Sequence, residues 1–197
     1  MYINNPQISE EDVKRLLQNI DELKKKYAKM GIPVIVDVDD PYKPSRLALS
    51  IRIEDIGKYV VNTIGKPVKD MHRPYTRVVI KDGVPWLSIV MVLGKIDEET
   101  EKAVLKNAMD FLSQYKDEGI DSMIVPSNDK NDKRLALLMN MYDYGEMIIR
   151  EAIQDKRGKP MRLHTSVSVR PIKLEQLEGT YLIMMFSSNP PRTRVIS

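Results

Sequence analysis

Two segments of this chain alternate apolar and polar residues without a break, which tightly limits what they can form. In "SRLALSIRI", Leu47, Leu49, Ile51 and Ile53 fall on one side, and Arg46, Ala48, Ser50 and Arg52 on the other. In "RLHTSVSVRP", Leu163, Thr165, Val167 and Val169 oppose Arg162, His164, Ser166, Ser168 and Arg170. Side chains of a strand point alternately to its two faces. Each segment therefore reads as a half-buried strand in a sheet with one covered and one open face.

Helices must cover the apolar side, and the spacing supplies them. Residues 9–30 carry Leu16, Ile20, Leu23 and Tyr27 on one helical face, with Ser9 as the cap and Gly31 as the stop. A shorter helix is expected from about Glu54 to Thr63, and another after Asp97, ended by Gly119. Asp82-Gly83 between two β-branched runs predicts a hairpin, and "GKPVKDMHRPY" a loop. "SMIVPS" reads as a strand. Beyond it, "NDKND" reads as the cap of a long helix over about 133–156. Leu135, Leu138, Met141, Tyr144 and Ile148 place apolar surface around most of its circumference. Such a helix is central to the fold or part of a subunit interface, so a homo-oligomer is expected. No internal repeat is read along the chain.

Together these elements predict one α+β domain over 1–197: a two-layer sandwich, its sheet mixed or largely antiparallel, with helices on one face. An N-terminal helix spans 9–30, a β-rich part 160–188 and an extended tail 189–197. No glycine-rich strand-to-helix turn points to a doubly wound domain.

Composition narrows the chemistry. The 197 residues include no cysteine, which excludes disulfides, thiolate metal sites and a cysteine nucleophile. A zinc site would need both histidines, His72 and His164, plus carboxylates. No signal peptide or membrane-spanning run is read, so the expectation is an intracellular, non-secreted protein without membrane partners. The 30 % charged content, rich in Lys and Glu, has a thermophile-like flavour. The net charge of +3 hides blocks: −2 over 1–41, +5 over 42–94, −5 over 95–132 and +5 over 133–197. The densest basic stretch, 156–173, holds six basic residues and no acid.

Two places could carry chemistry. Asp37 and Asp39 close the strand "VIVDVDD" and share a face, a placement that suits Mg²⁺ or Mn²⁺ shared with a phosphate. The D-x-D resembles the first motif of haloacid-dehalogenase-like hydrolases, though Pro41 stands where those carry threonine. Divalent-metal-dependent phosphoryl or nucleotidyl transfer or hydrolysis is the enzyme alternative. A polar turn begun by Asp40-Pro41 is the plain alternative. The second place is the polar strand face. Arg46, Arg52, Arg162, His164, Ser166, Ser168 and Arg170, extended by Arg157 and Lys159, form an electrostatic footprint for nucleic acid or another polyanion. His164-Thr165-Ser166 also resembles the H-x-[ST] motif of 2H phosphoesterases, of which this chain has one copy instead of two. The first functional expectation is therefore a polyanion-binding protein within a homo-oligomer. A structural assembly subunit without an active site is the further alternative.

Overall fold

A computed structural model describes residues 7–69, 72–126, 133–155, 157–159, 161–174 and 177–188. The elements run α1 (Glu10–Lys29), β1 (Val34–Val38), β2 (Arg46–Arg52), α2 (Ile53–Ile64), β3 (His72–Lys81), β4 (Val84–Gly94), α3 (Glu98–Asp117), β5 (Ser122–Pro126), β6 (Lys133–Asn140), α4 (Met141–Ile153), β7 (Leu163–Ile172) and β8 (Gly179–Ser188). The order is one unit, αββαββ, written twice.

The duplication is gapless over more than half of each unit. Ser9 caps α1 by accepting from the Asp12 N–H, and Asp97 caps α3 by accepting from the Thr100 N–H. Gly31 and Gly119 end these helices with positive φ, 76° and 86°. Ile32 N–H returns to the Tyr27 carbonyl and Ile120 N–H to the Tyr115 carbonyl, both at 2.9 Å. "RLAL" occurs at Arg46–Leu49 and again at Arg134–Leu137. Every one of these pairs is separated by 88 positions. Pairing repeats as well: Val34 opposite Ile51 in β1–β2 matches Ser122 opposite Met139 in β5–β6. A repeat does exist, contrary to the expectation from sequence.

The halves are interleaved rather than side by side. One antiparallel sheet has the order β1-β2-β8-β7, the other β3-β4-β6-β5. Each sheet thus joins a strand pair from one half to a strand pair from the other. Helices cross in the same way: α1 packs on α4, and α3 on α2. Asn19 donates to the Ala152 carbonyl at 2.8 Å, and Asn107, its counterpart, to the Ile64 carbonyl at 3.4 Å. These bonds satisfy carbonyls that a helix end leaves without partners.

Helices α2 and α4 each touch strands of both sheets and carry the centre of the core. Leu47, Leu49 and Ile51 of β2, Leu87, Ile89 and Met91 of β4, Leu135, Leu137 and Met139 of β6, and Leu182, Met184 and Phe186 of β8 are buried against them. Close approach depends on small residues. A Cβ on Gly57 would lie 2.1 Å from Thr76 Cγ2 in β3, and one on Gly145 2.5 Å from Val167 Cγ1 in β7.

The α+β class, the antiparallel pairing and the helices on one face of each sheet agree with the sequence. The hairpin at Asp82-Gly83 agrees too, both residues having positive φ. The long helix does not. Residues 133–140 are the strand β6, and α4 begins at Met141, capped by the Asn140 side chain. The expected cap "NDKND" lies outside the described residues. Leu135, Leu137 and Met139 point inward with period two, while the intervening Leu138 lets the same run imitate a helix. Helix α4 is covered by its own chain, so its apolar circumference no longer argues for a subunit interface. His72–Tyr75, expected in a loop, opens β3.

Candidate functional site

The first sheet leaves one face free of helices, and its register collects the polar residues there. One row across β2, β8 and β7 is Arg46, Ser187 and His164. Two residues along come Asp37 of β1, Ala48, Met185 and Ser166. The next row is Ile35, Ser50, Ile183 and Ser168, and the last is Arg52, Tyr181 and Arg170. Strands rise about 3.3 Å per residue, so the two arginine-bearing rows stand roughly 20 Å apart. The face is cationic at both ends, with small hydroxyl and apolar side chains between and the exposed carboxylate of Asp37 at its β1 edge.

Availability differs among the cations. Arg46, Arg162, His164 and Arg170 are exposed. Among the described residues none of these four side chains forms an ion pair. Arg52 is half-buried, pairs with Glu54 at 3.4 Å and lies over Gly179, with its Nε shut away without a hydrogen-bond partner. Arg157 stands apart from the face: it lines a groove with Arg15, Asn19 and Gln154 beside α1. Lys159 is exposed in the same connection between α4 and β7. Arg162, just before β7, continues the alternation of the polar face. The acidic helix α3 packs on α2 and β5, away from these strands.

Asp37 and Asp39 have different surroundings. Asp37 is exposed on the edge strand, on the same face as the arginines. Asp39 organises the β1–β2 turn. Its Oδ1 accepts from the backbone N–H groups of Asp40 (3.0 Å), Ser45 (3.1 Å) and Arg46 (3.1 Å), and its Oδ2 from the Ser45 hydroxyl. Burial alone would raise its pKa. The bonds from Ser45, Arg46 and Asp40 outweigh that and hold it below the usual carboxylate value. Asp40 in turn accepts from Tyr42 N–H at 2.8 Å. This geometry is that of a carboxylate-braced turn. Among the described residues no cluster of three or more metal-ligating side chains occurs.

The sequence reading missed the matching face of the second sheet. Its rows are Tyr75, Val90, Ala136 and Val125, then Arg77, Ser88, Leu138 and Met123, then Val79, Trp86 and Asn140. Here the same positions are mostly apolar: on the outer strands Tyr75, Val79, Met123 and Val125 are 46 %, 36 %, 38 % and 46 % exposed, while Ser88 and Val90 of β4 are buried. The signal was the second "RLAL", which alternates as the first does. Among the described residues no helix is long and apolar enough to cross a membrane. No family model, curated protein or solved structure matches this chain.

Proposed function

We propose that the protein binds a polyanion, with nucleic acid as the class, on the open face of the first sheet. The observation that carries this is the register, which brings Arg46, His164 and Arg170 onto one helix-free face with no ion-pair partner among the described residues. Exposed arginines offer forked donors to phosphate and release counterions on binding. The face is poor in aromatic side chains: Tyr181, between Arg52 and Arg170, is buried to 4 % exposure and cannot serve as a stacking platform. Affinity from such a surface is electrostatic and tolerant of sequence. Fluorescence anisotropy with a labelled oligonucleotide at low salt tests it. Removing Arg46 and Arg170 together should lower the slope of log affinity against log salt by about two, at about one unit for each phosphate contact. No binding by the intact protein at low salt rejects the proposal.

The apolar face of the second sheet favours a second reading, self-association. Three rows across four strands cover roughly 350 Å², less than half of the ~800 Å² that each partner contributes to a standard interface. Association through this face alone is therefore weak and dependent on concentration. Sedimentation velocity should show a dimer growing with concentration and lost in Val125→Glu; a monomer at every concentration rejects it. Divalent-metal catalysis at Asp37 and Asp39 stays an alternative without support from the turn's geometry.

A further inference from the structure

A cavity of about 180 Å³ opens where the two halves meet, between α1, α2, α3 and α4. Its lining includes the rings of Tyr27, Tyr59, Phe111 and Tyr115, the carboxylates of Glu118 and Glu151, and the side chain of Lys26. The two halves contribute corresponding positions: Tyr27 matches Tyr115, and Tyr59 matches Met147, also in the wall. The lining is not symmetric. Where the second half has Glu118, the first has Met30; where the second has Glu151, the first has Thr63. Both acids of the lining therefore come from the second half.

The rings are packed into a continuous surface. Tyr59 and Phe111 lie 6.1 Å apart between centroids, and Phe111 and Tyr115 4.8 Å, both tilted. Tyr115 stacks on Tyr144 at 5.8 Å. Tyr144 is fully buried, and its hydroxyl has no hydrogen-bond partner of ordinary geometry, although the phenols of Tyr27 and Tyr115 are its polar neighbours. Glu118 and Glu151 are close enough to Tyr27 to oppose its ionisation. Lys26 pairs with Glu151 at 3.1 Å, and Arg150 is committed to the Glu118 backbone carbonyl at 2.6 Å. The Glu118 carboxylate has no ion-pair partner among the described residues.

Ring faces carry negative potential and attract cations, most strongly where water is excluded. An aromatic wall beside an uncommitted carboxylate selects a positively charged group with an apolar surface. The volume, at about 30 Å³ for each water-sized unit, admits about six such units, the scale of a small alkylated ammonium group. We propose that this cavity binds a small organic cation of the alkylated-ammonium class, its methyl groups against Tyr59, Phe111 and Tyr115 and its charge beside Glu118. The site is separate from the sheet face described above.

Titration calorimetry of the full chain with choline, and with its uncharged isostere 3,3-dimethylbutan-1-ol, tests the assignment. Choline should bind at least tenfold more tightly than the isostere. Glu118→Gln, an exposed position, should weaken choline at least threefold and leave the isostere unchanged. Tyr59→Leu should weaken choline by a similar factor, and Lys26→Met should strengthen it by freeing Glu151. The isostere binding as well as choline, choline binding unaltered by Glu118→Gln, or no heat with choline at millimolar concentration overturns it. Glu118→Gln is not expected to disturb folding, so an unchanged thermal melt keeps that result interpretable whatever Tyr59→Leu does.

Discussion

Gly57 and Gly145 are one position in two copies: each is the fifth residue of its helix, and each lets that helix lie directly on a strand. Gly57 sits against Thr76 and Gly145 against Val167. Alanine would favour either helix by about 1 kcal/mol in isolation. Here the added methyl would fall 2.1 Å or 2.5 Å from a side-chain carbon, and overpacking of this kind costs roughly 1–3 kcal/mol. Both contacts are far inside van der Waals distance, so Gly57→Ala and Gly145→Ala should each lower stability, by up to about 2 kcal/mol in urea unfolding, where the helical term offsets part of the strain. Val167→Ala removes both atoms nearest the new methyl. Combined with Gly145→Ala it should cost less than the sum of the single changes; strict additivity would show that the contact is not the cause.

Interleaving makes each half dependent on the other. Strands β3 and β4 complete a sheet with β6 and β5, and β1 and β2 with β8 and β7. A fragment of residues 1–95 leaves β2 and β4 without their partners on one side, which exposes edges ready for pairing. It should not form a folded monomer. It should be unfolded or pair with a second copy, while residues 1–95 and 96–197 expressed together should copurify with a cooperative melt. A monomeric fragment that melts cooperatively would contradict the topology.

Alkaline pH should find the tyrosine cluster. Burial, the largest cause, raises the pKa of Tyr27, Tyr115 and Tyr144 above the ordinary phenol value. Unfolded tyrosines ionise near pH 10. Because the folded values are higher, stabilisation is complete below about pH 10 and is lost as pH rises from there through the folded values. Tyr144→Phe removes one such group and also an unpartnered buried hydroxyl. It should change stability at pH 7 by about 1 kcal/mol or less, in the favourable direction. It should also flatten the loss of stability measured between pH 9 and 12. A slope unchanged from the parent would exclude Tyr144 as a contributor.

Asp39 has the opposite sign. Its folded pKa is depressed by donors from Ser45, Arg46 and Asp40. The stabilisation it provides is present above about pH 4, the unfolded value, and is lost as pH falls through the lower folded value. Asp39→Asn should therefore abolish part of the acid dependence of the melting temperature. In the intact protein, millimolar Mg²⁺ or Mn²⁺ should leave that temperature unchanged, since the carboxylate is already engaged. A rise that Asp37→Asn eliminates would restore the metal site, because a ligand of the folded state alone stabilises it.

Local chemistry settled the parts of this protein that depend on near neighbours. Period-two alternation put Arg46, His164 and Arg170 on polar faces. Ser9 and Asp97 announced helix starts, Gly31 and Gly119 their ends, and Asp82-Gly83 its hairpin. Each signal acts through bonds or side-chain directions a few residues apart, so a linear reading can recover it. The run 133–140 misled because Leu135, Leu137, Leu138 and Met139 satisfy the periods of strand and helix alike; the identical "RLAL" at 46–49, already read as a strand, was a clue that the linear reading passed over. Only the tertiary structure decided that the strand pairs of the two halves exchange partners, that the two open faces differ in character, and that four helices meet around an aromatic cavity. Those outcomes depend on which edges and faces meet across tens of positions of chain or more, from Gly94 opposite Lys133 to Arg46 opposite Ser187, and local periodicity carries no record of the partner.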